Sequence, residues 1–132
     1  YKVYSASTLT EYAMVLRLAE QYLLRAEARA QSMNLSGAIE DVDRLRQRAG
    51  LPLIQETDPG ISQDNLLAAI ARERKFELMT EWGHRWLDLK RTGTTETILS
   101  SIKLDWQQTD ALYPIPQSER LLNPGLTQNP GY

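Results

Sequence analysis

Residues 70–93 constrain the fold more than any other part of this sequence. Apolar residues recur every three to four positions on both sides of Gly83, which is the pattern of two amphipathic helices joined by a tight turn. The pattern predicts that the first helix ends near Trp82 and that the second begins near His84 and stops before Gly93. Gly83 then follows the helix end, a position where a positive φ favours glycine.

Charged residues interrupt the apolar stripe of both predicted helices. Arg74 and Glu77 follow Ile70 at helical spacing, and Arg85 and Asp88 lie one turn apart on the next helix. A charge on a stripe that faces the core is costly unless it is paired. We therefore predict that Arg74, Glu77, Arg85 and Asp88 form a largely buried ion-pair network with a structural role.

Helical periodicity also runs through the N-terminal part of the chain. Residues 9–33 are predicted to form one helix, and Ser36 is predicted to cap a second helix that ends at Gly50. This helix–turn–helix looks like one tetratricopeptide-type unit, which cannot bury its own faces and needs a neighbour. Residues 53–61 are predicted to be a loop, and Ser62 to cap the next helix.

The chain loses helical periodicity from Lys103 onward. Residues 113–116 must be extended, because a residue that precedes proline avoids the helical region, and residues 118–122 are predicted to form one helical turn. The predicted fold is all-α, with tetratricopeptide-like helix pairs and an irregular proline-rich C-terminal strap. Residues 1–132 are predicted to form a single domain. The prolines of the strap are Pro114, Pro116, Pro124 and Pro130.

Composition excludes several classes of function. The 132 residues suffice for a domain with a core, and a net charge of -2 gives no electrostatic basis for binding nucleic acid. There is no cysteine and the only histidine is His84, so no typical zinc site can form and His84 is assigned a structural role. Neither a glycine-rich phosphate loop nor a nucleophile elbow is present. We expect no cofactor and no metal.

Acidic residues are frequent around the central glycine, and two carboxylates could in principle hydrolyse a glycosidic bond. Here, however, basic residues alternate with them, which favours ion pairs over the raised pKa that a general acid needs. We therefore predict that the protein is not an enzyme. The acidic residues are Glu73, Glu77, Glu81 and Asp88, and the basic ones are Arg72, Arg74, Lys75, Arg85 and Arg91.

The tryptophans are the candidates for ligand contact, since flat rings stack on the apolar faces of sugars. Trp82 and Trp86 lie at helical spacing beside leucines and are assigned to the core. Trp106 lies among short polar residues in a segment without periodicity, which is typical of an exposed sugar platform or of a ring packed on its own domain. The predicted ligand-binding residues are Trp106, Asp105, Gln107, Gln108 and Asp110.

Three blocks of sequence occur in a recognisable order and together span nearly the whole chain. They are residues 16–28, the central block with Glu81-Trp82-Gly83-His84-Arg85 and Asp88-Leu89, and the end with Tyr113-Pro114-Ile115-Pro116 and Asn129-Pro130-Gly131-Tyr132. This ordered set resembles the SusD/RagB family of outer-membrane nutrient-binding lipoproteins. The chain departs from the family pattern at Trp86-Leu87, where the family usually has an aromatic pair.

The resemblance implies a function and a location. It implies non-catalytic binding of an oligosaccharide or other nutrient at the cell outer membrane during polysaccharide uptake, with delivery to a TonB-dependent porin of the SusC type. Members of the family are longer and carry an N-terminal lipidated cysteine, so the resemblance implies that the chain is a C-terminal portion whose lipid anchor lies elsewhere.

Two other functions remain open from the sequence. A tetratricopeptide-type module for protein–protein interaction would bind a peptide in its helical groove and have no small ligand of its own. A carboxylate-based glycosidase would need two unpaired acids that face a cleft.

Overall fold

The computed structural model describes residues 14–132. Every regular element in this range is a helix and none is a strand, which confirms the all-α prediction. Residues 1–13, where the predicted first helix would begin, lie outside the described part. The α-helices are α1 (Leu18–Gln31), α2 (Leu35–Arg48), α3 (Ile54–Thr57), α4 (Gln63–Glu77), α5 (His84–Arg91), α6 (Thr95–Leu99) and α7 (Gln117–Leu122), with one 3₁₀ helix at Gln108–Ala111.

The chain divides into two compact units, Tyr1–His84 and Arg85–Tyr132, called the N-terminal and C-terminal units below. In the N-terminal unit, α1 pairs with α2 across a short connection, and α4 packs against both. Ala26, Ala30 and Ala38 are completely buried, so their small side chains let the helices approach closely. The predicted helix pair is thus present, and α4 is the neighbour that covers it. The larger core side chains are Leu23, Ile39, Val42, Leu45, Ile54, Leu66, Ile70 and Leu78.

Of the two predicted N-terminal caps, the one on α4 is present and the one on α2 is not. The Ser62 hydroxyl accepts a hydrogen bond from the backbone N–H of Asn65 (3.3 Å), so it caps α4 as predicted. The prediction that Ser36 caps α2 is wrong, because the Asn34 side chain accepts from the N–H of Gly37 (3.1 Å). A Cβ at Gly37 would lie 2.9 Å from the Asn34 amide nitrogen, so glycine leaves the room that this cap needs.

Two other predicted boundaries are wrong. The prediction of a single helix over residues 9–33 is wrong, because residues 14–17 are not helical and α1 begins at Leu18, after the extended Arg17 (φ -122°, ψ 140°). Residues 53–61 are not all loop, since they contain α3. That helix starts where it does because the buried Asp43 carboxylate accepts hydrogen bonds from its first two backbone N–H groups, at 2.7 and 3.0 Å.

The helix α4 ends at Glu77, earlier than the predicted end near Trp82. Thr80, Trp82 and Gly83 all have a positive φ (65°, 44° and 74°), so three left-handed residues form the turn instead of one glycine. Arg17 stabilises the early end, because its Nη2 donates to the Glu77 carbonyl oxygen at 2.6 Å. A contact between residues so far apart in the sequence gives no periodic signal.

A buried carboxylate ties α1 to α2. Asp41 accepts two hydrogen bonds from Arg25 (2.6 and 2.9 Å) and one from Arg29 (3.0 Å). The hydrogen bond to Asp41, together with the attraction between the two charges, raises the pKa of the Arg25 guanidinium. Asp41 is therefore a structural residue that holds the helix pair in register.

The C-terminal unit has little apolar burial and is held by polar side chains. The Gln128 side chain connects the end of the strap to its beginning. Its Oε1 accepts hydrogen bonds from the N–H groups of Ile115 (2.7 Å) and Asn129 (2.9 Å), and its Nε2 donates to the Ile115 carbonyl (3.0 Å). Asn129 donates to the carbonyl of Tyr113 (2.7 Å), and the Tyr132 hydroxyl donates to the carbonyl of Leu112 (2.9 Å). The strap predicted as irregular is thus a folded-back loop with specific hydrogen bonds.

Candidate ligand-binding site

Three aromatic side chains of the C-terminal unit form a cluster. The ring centroids of Trp86 and Trp106 lie 6.3 Å apart at 74°, and those of Trp86 and Tyr113 lie 6.2 Å apart at 72°. Such edge-to-face pairs stabilise ring positions beyond simple burial. We call these residues the aromatic cluster: Trp86, Trp106 and Tyr113.

Local contacts position the two tryptophan rings of the aromatic cluster. Trp86 lies on α5, where Lys90, one turn later, places its ammonium 5.5 Å from the ring centroid. Trp106 follows a tight turn in which its N–H donates to the Lys103 carbonyl (3.2 Å). Its indole N–H donates to the Glu96 carboxylate (2.8 Å), so the ring faces are what remain for a ligand.

The aromatic cluster borders a cavity of about 720 Å³. This volume is in the usual range of small-molecule sites, which combine apolar walls with a few polar groups. Charged side chains of both signs reach the cavity. Its lining residues are Trp86, Ile102, Lys103, Leu104, Asp105, Trp106, Asp110 and Tyr113.

The predicted ligand-binding residues are divided between this cavity and the segment beside it. Trp106, Asp105 and Asp110 line the cavity, and Trp106 is half-buried. Gln107 and Gln108 are exposed and are not among its lining residues. Gln107 and Asp110 form a capping box around the 3₁₀ helix, in which Asp110 accepts from the Gln107 N–H at 2.9 Å. A ligand role for these five residues stays a prediction.

Sequence reasoning missed two rings of the site. Trp86 was assigned to the core because its spacing to Leu89 is helical, yet it is half-buried and faces the cavity. Tyr113 was predicted only as part of the extended strap and not as a residue of the site. The assignment of Trp82 to the core is also wrong, since its side chain is 60% exposed and its indole N–H donates to the Met14 carbonyl (2.9 Å). The position of Tyr113 in a non-helical segment was a signal that could have found it, whereas Trp86 on α5 has no such signal.

Several charged residues of the central block have partners that the sequence did not predict. Arg74 is buried, as expected for a charge on the inner stripe. Glu77 forms ion pairs with Arg17 (2.9 Å) and Arg48 (2.6 Å), within the N-terminal unit. Asp88 pairs with Arg91 (2.9 Å) on α5. A network that joins Arg74 and Glu77 to Arg85 and Asp88 stays a prediction.

His84 lies at the start of α5, with its Nδ1 3.6 Å from a carboxylate oxygen of Glu20. Within residues 14–132, no group of three or more histidine or acidic side chains is arranged to hold a metal ion. In that same range, no helix has the length and apolar character to span a membrane.

The N-terminal unit contains a pair of packed helices, and the C-terminal unit contains an aromatic-lined cavity; both features are typical of helical binding proteins. The family model of the SusD family matches residues 2–132, and the chain belongs to that family. Members of the family are nutrient-binding lipoproteins of the outer membrane, generally without catalytic activity, and they pair with porins of the SusC type. This agrees with the resemblance found in the sequence.

Individual relatives agree with this assignment. The chain is 33% identical to the SusD-like protein P38 of Formosa agariphila, over 100% of the chain and 27% of that protein. It is 30% identical to the SusD-like protein P25 of the same organism, over 88% of the chain and 23% of that protein.

Solved structures share the fold. A SusD-like protein (BF3747) from Bacteroides fragilis superimposes with a TM-score of 0.68 and 32% identity, over 89% of this chain and 25% of that one. The protein BT4246 superimposes with a TM-score of 0.71 and 28% identity, over 96% and 26%. The chain spans about a quarter of the length of these relatives.

Proposed function

We propose that this chain contributes to non-catalytic binding of a glycan or related nutrient, and that the aromatic cluster and its cavity are the binding surface. The observation that carries the proposal is the edge-to-face arrangement of Trp86, Trp106 and Tyr113 beside a cavity that Asp105 and Asp110 also line. Aromatic faces would stack on a sugar ring, and the carboxylates would accept hydrogen bonds from its hydroxyls.

Calorimetric titration against a panel of polysaccharides and their oligosaccharides tests this proposal. We expect weak binding, with a Kd near 1 mM, equivalent to about -4 kcal/mol. Trp106→Ala should weaken binding several-fold and leave the helical circular dichroism unchanged. Trp82→Ala is the matched control, because Trp82 is an exposed tryptophan of the N-terminal unit. Binding that survives Trp106→Ala unchanged would contradict the proposal.

The absence of catalysis is a further part of the proposal. The buried carboxylates of Asp41 and Asp43 are engaged in structural hydrogen bonds, and Asp110 caps the 3₁₀ helix. Asp105 and Asp110 are the acids that a glycosidase would have to use. Incubation with the same panel should release no reducing ends, whereas release that Asp110→Asn abolishes would establish the glycosidase instead.

Location and partner follow from the family and are proposals for this chain. We infer that residues 1–132 form one C-terminal helical domain of an outer-membrane lipoprotein, which delivers its nutrient to a SusC-type TonB-dependent porin. A tagged full-length protein should co-purify with such a porin from outer membranes. Recovery of the tagged protein without any porin would contradict the partner.

A tetratricopeptide-type interaction module is the second candidate. It is favoured by a cavity of about 480 Å³ along α1, where the Leu18 side chain is 71% exposed. Leu18→Ser separates the two functions: it should leave glycan binding unchanged and abolish cross-linking to a protein partner if α1 is the docking helix. Cross-linking that Leu18→Ser leaves intact would remove α1 from the interface. The cavity is lined by Leu18, Gln21, Tyr22, Leu24 and Arg25.

A further inference from the structure

Two lysines accompany the tryptophans of the candidate site. The Lys103 ammonium lies 5.9 Å from the centroid of Trp106, and the Lys90 ammonium lies 5.5 Å from that of Trp86. Lys103 also lines the cavity. Both tryptophan rings of the aromatic cluster therefore have a positive charge near the ring.

Some of the charged side chains near the cavity already form hydrogen bonds within the chain, and others do not. Glu96 accepts from the Trp106 indole N–H, and Asp110 accepts from the Gln107 N–H. The side chains of Asp105, Lys90 and Lys103 form no hydrogen bond or ion pair with any described residue of the chain, beyond the ring contacts of the two lysines. Two ammonium groups and one carboxylate are thus available to a ligand.

We propose that the site binds an acidic oligosaccharide, and that Lys90 and Lys103 form ion pairs with its anionic substituents. This inference rests on the proposed function. An ammonium above a ring keeps its N–H donors directed outward, where they can pair with a carboxylate or a sulfate while the sugar ring stacks. A neutral sugar would stack on the same rings without gaining that ion pair. The chain as a whole has a net charge of -2, so a preference for anions must arise locally.

The test compares three ligands of similar length: a neutral galacto-oligosaccharide, an oligogalacturonate and a sulfated galacto-oligosaccharide. At low salt, at least one anionic ligand should bind about fivefold more tightly than the neutral one, and the advantage should shrink as the ionic strength rises. The carboxylate and sulfate arms show which substituent the site reads. Lys103→Gln should remove most of the advantage of the anionic ligand over the neutral one, and Lys90→Gln should remove part of it.

Lys75→Gln is the matched control. Lys75 is also an exposed lysine above an aromatic ring, 5.8 Å from the centroid of Phe76, but it lies in the N-terminal unit. It should leave the preference unchanged, and an equal loss in Lys75→Gln would overturn the proposal, because the effect would then come from net charge. Equal binding of neutral and anionic ligands would overturn it while the proposed function stands. No binding of any ligand, in calorimetry or tryptophan fluorescence, would overturn both.

Discussion

The two units of this chain are stabilised by different interactions. Among the described residues, buried aliphatic side chains are concentrated in the N-terminal unit. In the described C-terminal unit, only Leu89 and Leu99 expose less than a tenth of their surface. The C-terminal unit relies on side chain-to-backbone hydrogen bonds such as those of Gln128, and on the edge contacts of the aromatic cluster.

This difference has a consequence for function. Regions with few buried apolar contacts open at lower free energy than a packed helical core, and binding surfaces are commonly drawn from them. We therefore expect the N-terminal unit to be the more rigid of the two, and the C-terminal unit to adapt its rings to a ligand. Substitutions in the two units should differ in size of effect.

The largest effect should come from the N-terminal core. Leu23→Ala removes a side chain that is completely buried, so it should lower the free energy of unfolding by about 3 kcal/mol through lost burial and a residual cavity. Urea unfolding measures this. Leu24→Ala is the neighbouring control, because Leu24 is 42% exposed and should cost well under half as much. Equal losses would mean that α1 is not packed as described.

A smaller loss is expected from the buried acceptor between α1 and α2. Asp41→Asn should lower the free energy of unfolding by about 2 kcal/mol, because an amide cannot accept all three arginine hydrogen bonds in the same way. Glu40→Gln, at the exposed neighbouring position, should be nearly neutral in the same thermal and urea unfolding experiments. If Asp41→Asn is also neutral, the helix pair does not depend on this ion pair.

The smallest effect should fall in the strap and stay local. Gln128→Ala removes the bridge to Ile115 and should raise amide exchange at Ile115 by about tenfold, equivalent to about 1.4 kcal/mol of local stability. Exchange in α2 should not change. Gln117→Ala, at an exposed position of α7, is the control. Unchanged exchange at Ile115 would show that other contacts hold the strap.

Periodic burial was the part of the fold that could be predicted from sequence. The stripes of α2 and α4, the Ser62 cap and the limits of α5 follow from apolar spacing and from local capping chemistry, which act within one or two turns. The early end of α4 could not be predicted, because it depends on Arg17, which is remote in the sequence. The bridge made by Gln128 is equally non-local.

The candidate site was predicted only in part for the same reason. Trp106 and its acidic neighbours stood out because a large ring in a polar, non-periodic segment has no helical stripe to join. Trp86 did not stand out, since its spacing is also that of a core residue, and only its contacts with Trp106 and Tyr113 assign it to the cavity.

The indole N–H resonances of the three tryptophans give the most direct test of the central claim, that the C-terminal unit carries the glycan-binding surface. In a ¹⁵N-labelled chain titrated with an oligosaccharide that binds in calorimetry, the signals of Trp106 and Trp86 should shift with a common Kd, assigned by Trp→Phe variants. The Trp82 signal should stay in place, because Trp82 donates to the Met14 carbonyl in the other unit. Shifts confined to Trp82, or binding that moves none of the three indole signals, would contradict the account.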